Sequence, residues 1–264
     1  MTAMVTASDI AMEPTIDNTN ARSAVRRLFT AELRLFARDP FTVVFVIMFP
    51  IVTMLVLGAS FGTEPAHGFP VNPAHWYVAS YLTVVIGAIG LIMLPVHIAS
   101  YRERGVLRRF AAAGFPRWSF AAAEATVGLI AVAVGGACLL VVAAPVYGVP
   151  APDEPGRVLV GVVAAAVAFV SIGVLLGTLL PSARAAQGIG LLVFFPSFLL
   201  GVGGPPPNVM PDALRAIADR LPLALANQAI RGPWLGLGQA TGALAATIAI
   251  AAAAMALAGR RSAL

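Results

Sequence analysis

The 264-residue chain contains no lysine; all 17 of its basic residues are arginine. A P-loop needs a lysine to reach the β- and γ-phosphates, so the chain carries no standard nucleotide-hydrolysing site. Schiff-base and serine–lysine mechanisms are excluded with it. Cysteine is almost as scarce: Cys138 stands alone in an apolar run, which forbids an intrachain disulfide and suits packing better than reactivity. Charge is the third shortage. Charged residues make up 11% of the chain against 59% apolar ones, far short of the roughly one-quarter to one-third that a water-facing surface uses. A soluble globular protein is therefore excluded.

What is there instead is apolar length. No charged residue occurs in 40–63, 65–101, 125–152, 158–183, 185–211 or 232–259. Each stretch exceeds the roughly 20 residues that a helix rising about 1.5 Å per residue needs to cross a hydrocarbon core of about 30 Å. The expected fold is an all-α polytopic membrane protein with six transmembrane helices, near 41–62, 76–99, 118–143, 158–180, 186–203 and 233–258. These spans fill residues 40–264 and leave no room for a separate soluble domain. Residues 1–20, small and polar with Asp9, Glu13 and Asp17, lack the basic start and apolar core of a signal peptide and read as a disordered cytoplasmic tail.

Between tail and first span, residues 21–39 place Val25, Leu28, Phe29, Leu33 and Phe36 at helical spacing, with Arg27, Arg34 and Arg38 opposite. This is a basic amphipathic helix suited to an anionic membrane surface, or equally a positive topology signal. Glu32 sits inside its apolar arc, where a carboxylate calls for an Arg partner. With the N-terminus inside, the inner segments hold Arg22, Arg26, Arg27, Arg34, Arg38, Arg102, Arg104, Arg108, Arg109, Arg117, Arg184, Arg260 and Arg261. The outer ones hold only Arg157, Arg215, Arg220 and Arg231, so 13 of the 17 lie inside and both termini are expected in the cytoplasm.

The outer connections differ in character. Thr63 to His75 is short and neutral apart from Glu64, and Ala144 to Pro155 carries four prolines, which forbid a continuing helix. Gly203 to Pro233 opens on a Gly-Pro-rich run and then offers a helix start at Pro211 and Asp212, with Leu214, Ile217, Ala218 and Leu221 on one face. Pro222 ends that helix, and 223–231 form a second short one. Such helices can lie in the outer interface or dip into the membrane.

The inner loop from Tyr101 to Trp118 contains Arg102, Arg104, Arg108, Arg109 and Arg117, a short apolar face of Val106, Leu107 and Phe110, and the breakers Gly114 and Pro116. Its order Glu103-Arg104-Gly105-Val106-Leu107-Arg108-Arg109 resembles the loop after the second span of type 2 ABC transporter permeases, a family of bacterial drug, antibiotic, polysaccharide and lipid exporters. Two further features match that family in order: residues 21–39 closing on Arg38-Asp39-Pro40, and the Pro-rich segment from Pro205 to Pro233 before the last span. Leu221-Pro222-Leu223 departs from the Asn-Pro common there.

The resemblance implies a permease subunit that moves an apolar or amphipathic compound out of the cell. It implies no cofactor on this chain, with ATP and Mg held by a separate ABC ATP-binding subunit. Glu103, Arg104, Gly105, Leu107, Arg108 and Arg109 would form a coupling element that meets this subunit, and Glu32 would be an ion-pair partner in a second contact. A second permease copy or paralogue and membrane lipid complete the implied partners, with no nucleic acid among them. The implied location is the plasma membrane. A secondary ion-coupled transporter is the alternative, but internal repeats and intramembrane charges are lacking. An intramembrane enzyme lacks a convergent nucleophile, base or metal set.

Glu124 is the one clear ionisable group near membrane depth, within reach of Arg117 or water, and reads as a structural ion pair rather than a proton relay. His67, His75 and His97 fit no metal-ligand pattern. Phe194, Phe195 and Phe198 either pack or, for Phe194 and Phe198 one turn apart, form half of an apolar slot that a dimer completes across its two-fold axis. Gly173 and Gly177 permit one close helix contact without identifying its partner.

Overall fold

The computed structural model describes residues 44–62, 69–112, 117–204 and 209–263. The tail 1–20, the amphipathic helix 21–39 with Glu32, and His67 lie outside the described residues. Among those described the fold is all-helical, with no strand. Uncharged runs of Ala, Val, Leu and Gly fold this way because only a helix satisfies its backbone within one segment when water is absent.

In chain order the helices are α1 (Phe49–Phe61, preceded by the π-helical Val44–Met48), α2 (Pro73–Glu103), α3 (Val106–Ala112), α4 (Arg117–Tyr147), α5 (Pro155–Leu179), α6 (Ala183–Gly201), α7 (Asp212–Ala218), α8 (Pro222–Trp234) and α9 (Thr241–Ala263). Five of them, α2, α4, α5, α6 and α9, are long and apolar enough to cross a membrane by length and composition. The first expected span, 41–62, is described only from Val44, and its apolar helix Val46–Phe61 covers roughly 24 Å at the α-helical rise. The last helix starts at Thr241 rather than at 233. Residues 222–234 belong to α8, and a turn with positive φ at Gly236, Gly238 and Ala240 separates the two. Pro145, expected in a loop, lies in the last turns of α4.

The centre of the bundle is α2. Every residue from Trp76 to Pro95 is buried, and α2 packs on α1, α4, α5, α6 and α8. Asn72 starts it: its Oδ1 accepts the backbone N–H of Ala74 at 2.9 Å and of His75 at 3.4 Å, with Pro73 at the first helical position. Its middle widens into a π-helical turn, Ile89–Met93, just before Pro95. The same order of π-turn and proline precedes Pro50 in α1.

α2 and α5 run parallel along a glycine seam. A Cβ on Gly90 would lie 2.4 Å from the Phe169 carbonyl oxygen, one on Gly173 2.5 Å from the Gly90 oxygen, and one on Gly177 2.6 Å from Ile98 Cβ. Gly90, Leu94 and Ile98 thus face Phe169, Gly173 and Gly177, both sets at i, i+4 spacing, which is how small residues let two membrane helices close. The pair Gly173 and Gly177 therefore serves a contact within the chain. On the other side of α2, a Cβ on Gly190 of α6 would lie 2.2 Å from the Leu91 oxygen.

α8, 13 residues long, is the amphipathic helix wedged among spans. It packs on α2, α5, α6 and α9 and buries Leu223, Asn227, Ile230 and Arg231. Its last carbonyls are met by the α4–α5 loop: Asp153 N–H donates to the Trp234 oxygen and Glu154 N–H to the Pro233 oxygen at 3.0 Å. The Trp234 indole N–H returns to the Pro150 oxygen at 3.0 Å.

Candidate functional site

The sharpest turn in the chain lies where α2 meets α3. Glu103 is the last residue of α2, Arg104 is its C-cap, and Gly105 takes φ +70°, a left-handed conformation that costs glycine nothing. Arg104 N–H reaches the Ser100 oxygen at 3.0 Å and Gly105 N–H the Arg102 oxygen at 3.1 Å, which closes the helix end. α3 starts at Val106, so Glu103, Arg104 and Gly105 end the long helix instead of opening the short one, because the glycine breaks the chain after them. Leu107 packs against the cluster of Ile98, Phe120, Val174 and Ala258 and fastens α3 to the bundle. Arg104 and Arg109 are exposed. Arg108 lies on α3, its side chain outside the described set.

Two adjacent residues at this corner reach across to other helices. The Glu103 carboxylate accepts the backbone N–H of Ala183 at 3.1 Å, at the N-terminus of α6. Ser182 Oγ accepts the Ala185 N–H beside it at 3.2 Å, so two of the orphan donors of that helix are met. The Arg102 guanidinium donates to the carbonyl oxygens of Thr178 and Leu180, at the C-terminus of α5. An anion thus sits at the positive end of one helix and a cation at the negative end of its predecessor, across a turn of a few residues. The chain spacing gave Arg102 no part beyond a share of positive charge; nothing local shows a contact about 80 residues away.

Glu124 is fully buried in α4, and its Oε2 lies 3.2 Å from His97 Nδ1 on α2. The partner among the described residues is this histidine, one quarter exposed, where the sequence had offered Arg117 or water. The Tyr101 ring stands 4.8 Å from the His97 ring. Glu124 Oε1 has no hydrogen-bond partner among the described residues. His75 Nε2 lies 3.2 Å from the Tyr147 carbonyl oxygen, tying α2 to the end of α4. No group of three or more His, Cys, Asp and Glu capable of holding a metal occurs among the described residues.

Phe194 and Phe198 stack with centroids 5.9 Å apart and ring planes within 5°. Both are buried, Phe194 at 0% and Phe198 at 6% exposure, against Phe49 of α1 and Tyr81 of α2. Phe195 is half-buried and touches the same Phe49 ring. The rings therefore converge inside the chain, while Leu192 and Leu199 occupy the outward face of α6.

Arg231, read from sequence as an outer-loop charge, is only 7% exposed. Its guanidinium carbon lies 3.5 Å from the centre of the Trp76 ring and Nη1 donates to Ser80 Oγ at 3.1 Å. The aromatic face and the hydroxyl, both on α2, take the place of a carboxylate. The only local clue was Trp76 and Ser80 one turn apart, and it named no partner.

These features define a polytopic helical membrane component whose chain holds no nucleotide-hydrolysing motif and whose charged corner is tied to the ends of two spans. The ABC-2 type transporter family model matches residues 23–235, and the chain belongs to that family. The family is the transmembrane component of ABC transporters, and the chain is a membrane-embedded permease of that kind. No curated protein matches the chain.

Proposed function

We propose that the chain is the permease subunit of an ATP-driven exporter for an apolar or amphipathic compound, with ATP and Mg bound by a separate subunit. The observation that carries this reading is the α2–α3 corner: Glu103 and Arg102 fasten it to α5 and α6, and α3 hangs from it with Arg109 exposed. A short helix so mounted is a handle by which a soluble ATPase can move the membrane helices. The absence of lysine makes such a partner necessary for ATP-driven work.

In this reading the corner, Arg184 and Arg260 face the cytoplasm, along with both termini, and Asp153 and Arg157 face outward. Two copies, or one copy and a paralogue, form the transport unit in contact with lipid, and residues 21–39 with Glu32 make a second contact with the ATPase. Phe194 and Phe198, packed inside the chain, back an apolar wall on α6. The buried Glu124–His97 pair is the one feature that favours an ion-coupled transporter instead, and a single such pair makes a thin coupling path.

The test is purification of the tagged chain coexpressed with a P-loop ATPase of the ABC type, taken from a reading frame neighbouring its own. Stable association, and ATP hydrolysis that rises when an amphipathic dye such as rhodamine 6G is added, support the reading. Hydrolysis that stays absent while dye moves with an imposed proton gradient selects the ion-coupled alternative. Reporter fusions at Leu264 and Pro152 check the orientation: an exported signal at Leu264 would invert it.

A further inference from the structure

We infer that Arg102 and Glu103 are positioning residues that clamp the coupling corner to the turn between α5 and α6, so that α2, α3, α5 and the start of α6 move as one body. The inference rests on the permease reading above and adds the path along which motion would pass.

Three independent contacts converge on it. Glu103 caps the N-terminus of α6 through Ala183, 3.1 Å away. Arg102 caps the C-terminus of α5 through Thr178 and Leu180. The glycine seam joins α2 to α5 above the corner, and Arg102 continues its i, i+4 row of Gly90, Leu94 and Ile98 into the polar end. The seam is made of backbone and short side chains in close contact, which resists sliding. At its end the backbone groups of α5 and α6 have no further helical turn to bond to. The two charged side chains supply those bonds, each with the sign the helix terminus favours. They also straddle the break between α5 and α6, so a displacement of α3 is delivered to both helices at once. Among the described residues, the other links from α3 to the bundle are Leu107 and the Gly105 turn.

The test uses the permease–ATPase complex in lipid nanodiscs, with Cys138→Ser and nitroxide labels at Ala112→Cys in α3 and Arg184→Cys in α6, diluted with unlabelled chain. With the clamp intact, the distance between labels is expected to stay within about 2 Å between the nucleotide-free and the ATP–vanadate-trapped state, the scale of small helix shifts. In the Arg102→Ala/Glu103→Ala variant it should shift or broaden by about 5 Å on trapping, the scale of one element slipping a turn past another. Glu103→Gln keeps an oxygen that accepts the Ala183 N–H and should behave as the unaltered protein. A distance that already shifts on trapping with the clamp residues present, or one that stays put in the double variant, overturns the inference. So does a Glu103→Gln variant that loosens like the alanine pair. A chain that binds no ATPase overturns the functional reading and this inference together; a complex that hydrolyses ATP but fails the distance test overturns this inference alone.

Discussion

Adding one methyl group at Gly90 or Gly173 should loosen the whole bundle. The Cβ of an alanine at these positions would lie 2.4 Å from the Phe169 oxygen and 2.5 Å from the Gly90 oxygen, whereas ordinary contact starts at 3.4 Å. The obstacle in both cases is backbone, which cannot rotate away, so α2 and α5 must part by about 1 Å. A gap of that size forfeits a quarter to a half of the dispersion attraction of each atom pair along the seam. Overpacking of this kind costs about 1–3 kcal/mol. Alanine also gains up to about 1 kcal/mol over glycine in a helix interior, but that gain is shared by Gly188→Ala in α6, where nothing lies within 4 Å of the added carbon. Comparison with Gly188→Ala therefore isolates the steric term.

The assay is loss of monodisperse protein after heating in mild detergent, followed by size-exclusion chromatography. At about 2–4 °C per kcal/mol for a chain of this size, Gly90→Ala and Gly173→Ala should melt several degrees below Gly188→Ala. The double variant should lose less than the sum of the two, because helices already parted by the first methyl make room for the second. Single variants as stable as Gly188→Ala would refute the close seam, and full additivity would show that the two glycines serve separate contacts.

Arg231→Met should stay within about 1 kcal/mol of the unaltered protein in the same assay, since an apolar residue of similar volume escapes the desolvation cost; Arg231→Ala should lose about 2–4 kcal/mol to the space left over Trp76. Equal losses would mean that the Ser80 and Trp76 contacts outweigh that cost. Glu124→Gln should retain the link to His97, while Glu124→Ala should cost about 1–3 kcal/mol by leaving the ring nitrogen without the carboxylate, read as thermal midpoints of the two variants. At equal membrane abundance, Phe194→Ala and Phe198→Ala should change cellular tolerance to apolar antibiotics more than Phe195→Ala, and equal effects at the three positions would leave the rings as packing alone.

Five of the six expected spans were legible because crossing a membrane is a matter of length and charge, both of which are local. The beginning of the last span was not, since residues 232–240 are as uncharged as the helix that follows them. What separates them is the Gly-Pro-Trp end of α8, where Pro233 and Trp234 are buried, and a turn with Ala240 at φ 45°, which hydropathy does not register. Gly173 and Gly177 announced a close contact, and only the fold shows that α2 receives it. The Glu103-Arg104-Gly105 run was legible as a motif; its mechanical meaning was not, because Ala183 and Thr178 are remote in sequence. Arg231 was misplaced for a related reason. Charge argues for water unless something compensates it, and the compensating Trp76 and Ser80 lie about 150 residues away.

The prolines of α2 and α6 explain why these two helices fit so closely. Pro95 removes the N–H that would reach the Leu91 carbonyl and crowds the oxygen at that position. The chain answers twice. It opens a π-helical turn over Ile89–Met93, which widens the helix locally and relieves the clash. It also sets Gly190 of α6 against the Leu91 oxygen, where any larger residue would meet that oxygen at 2.2 Å. A proline-freed carbonyl at membrane depth is tolerated only where protein covers it, so α6 is needed at this point as much as α2 is. Pro196 of α6 frees the Leu192 carbonyl in the same way, and the neighbouring Ser197 hydroxyl bonds the next carbonyl along, that of Val193, at 2.7 Å. α6 is thus held to α2 at Gly190 and, through Ala183, at its first turn, and its upper end is held by α8, where Asn227 Nδ2 donates to the Gly201 oxygen at 3.3 Å and Ala224 leaves no room for a Cβ on Gly201.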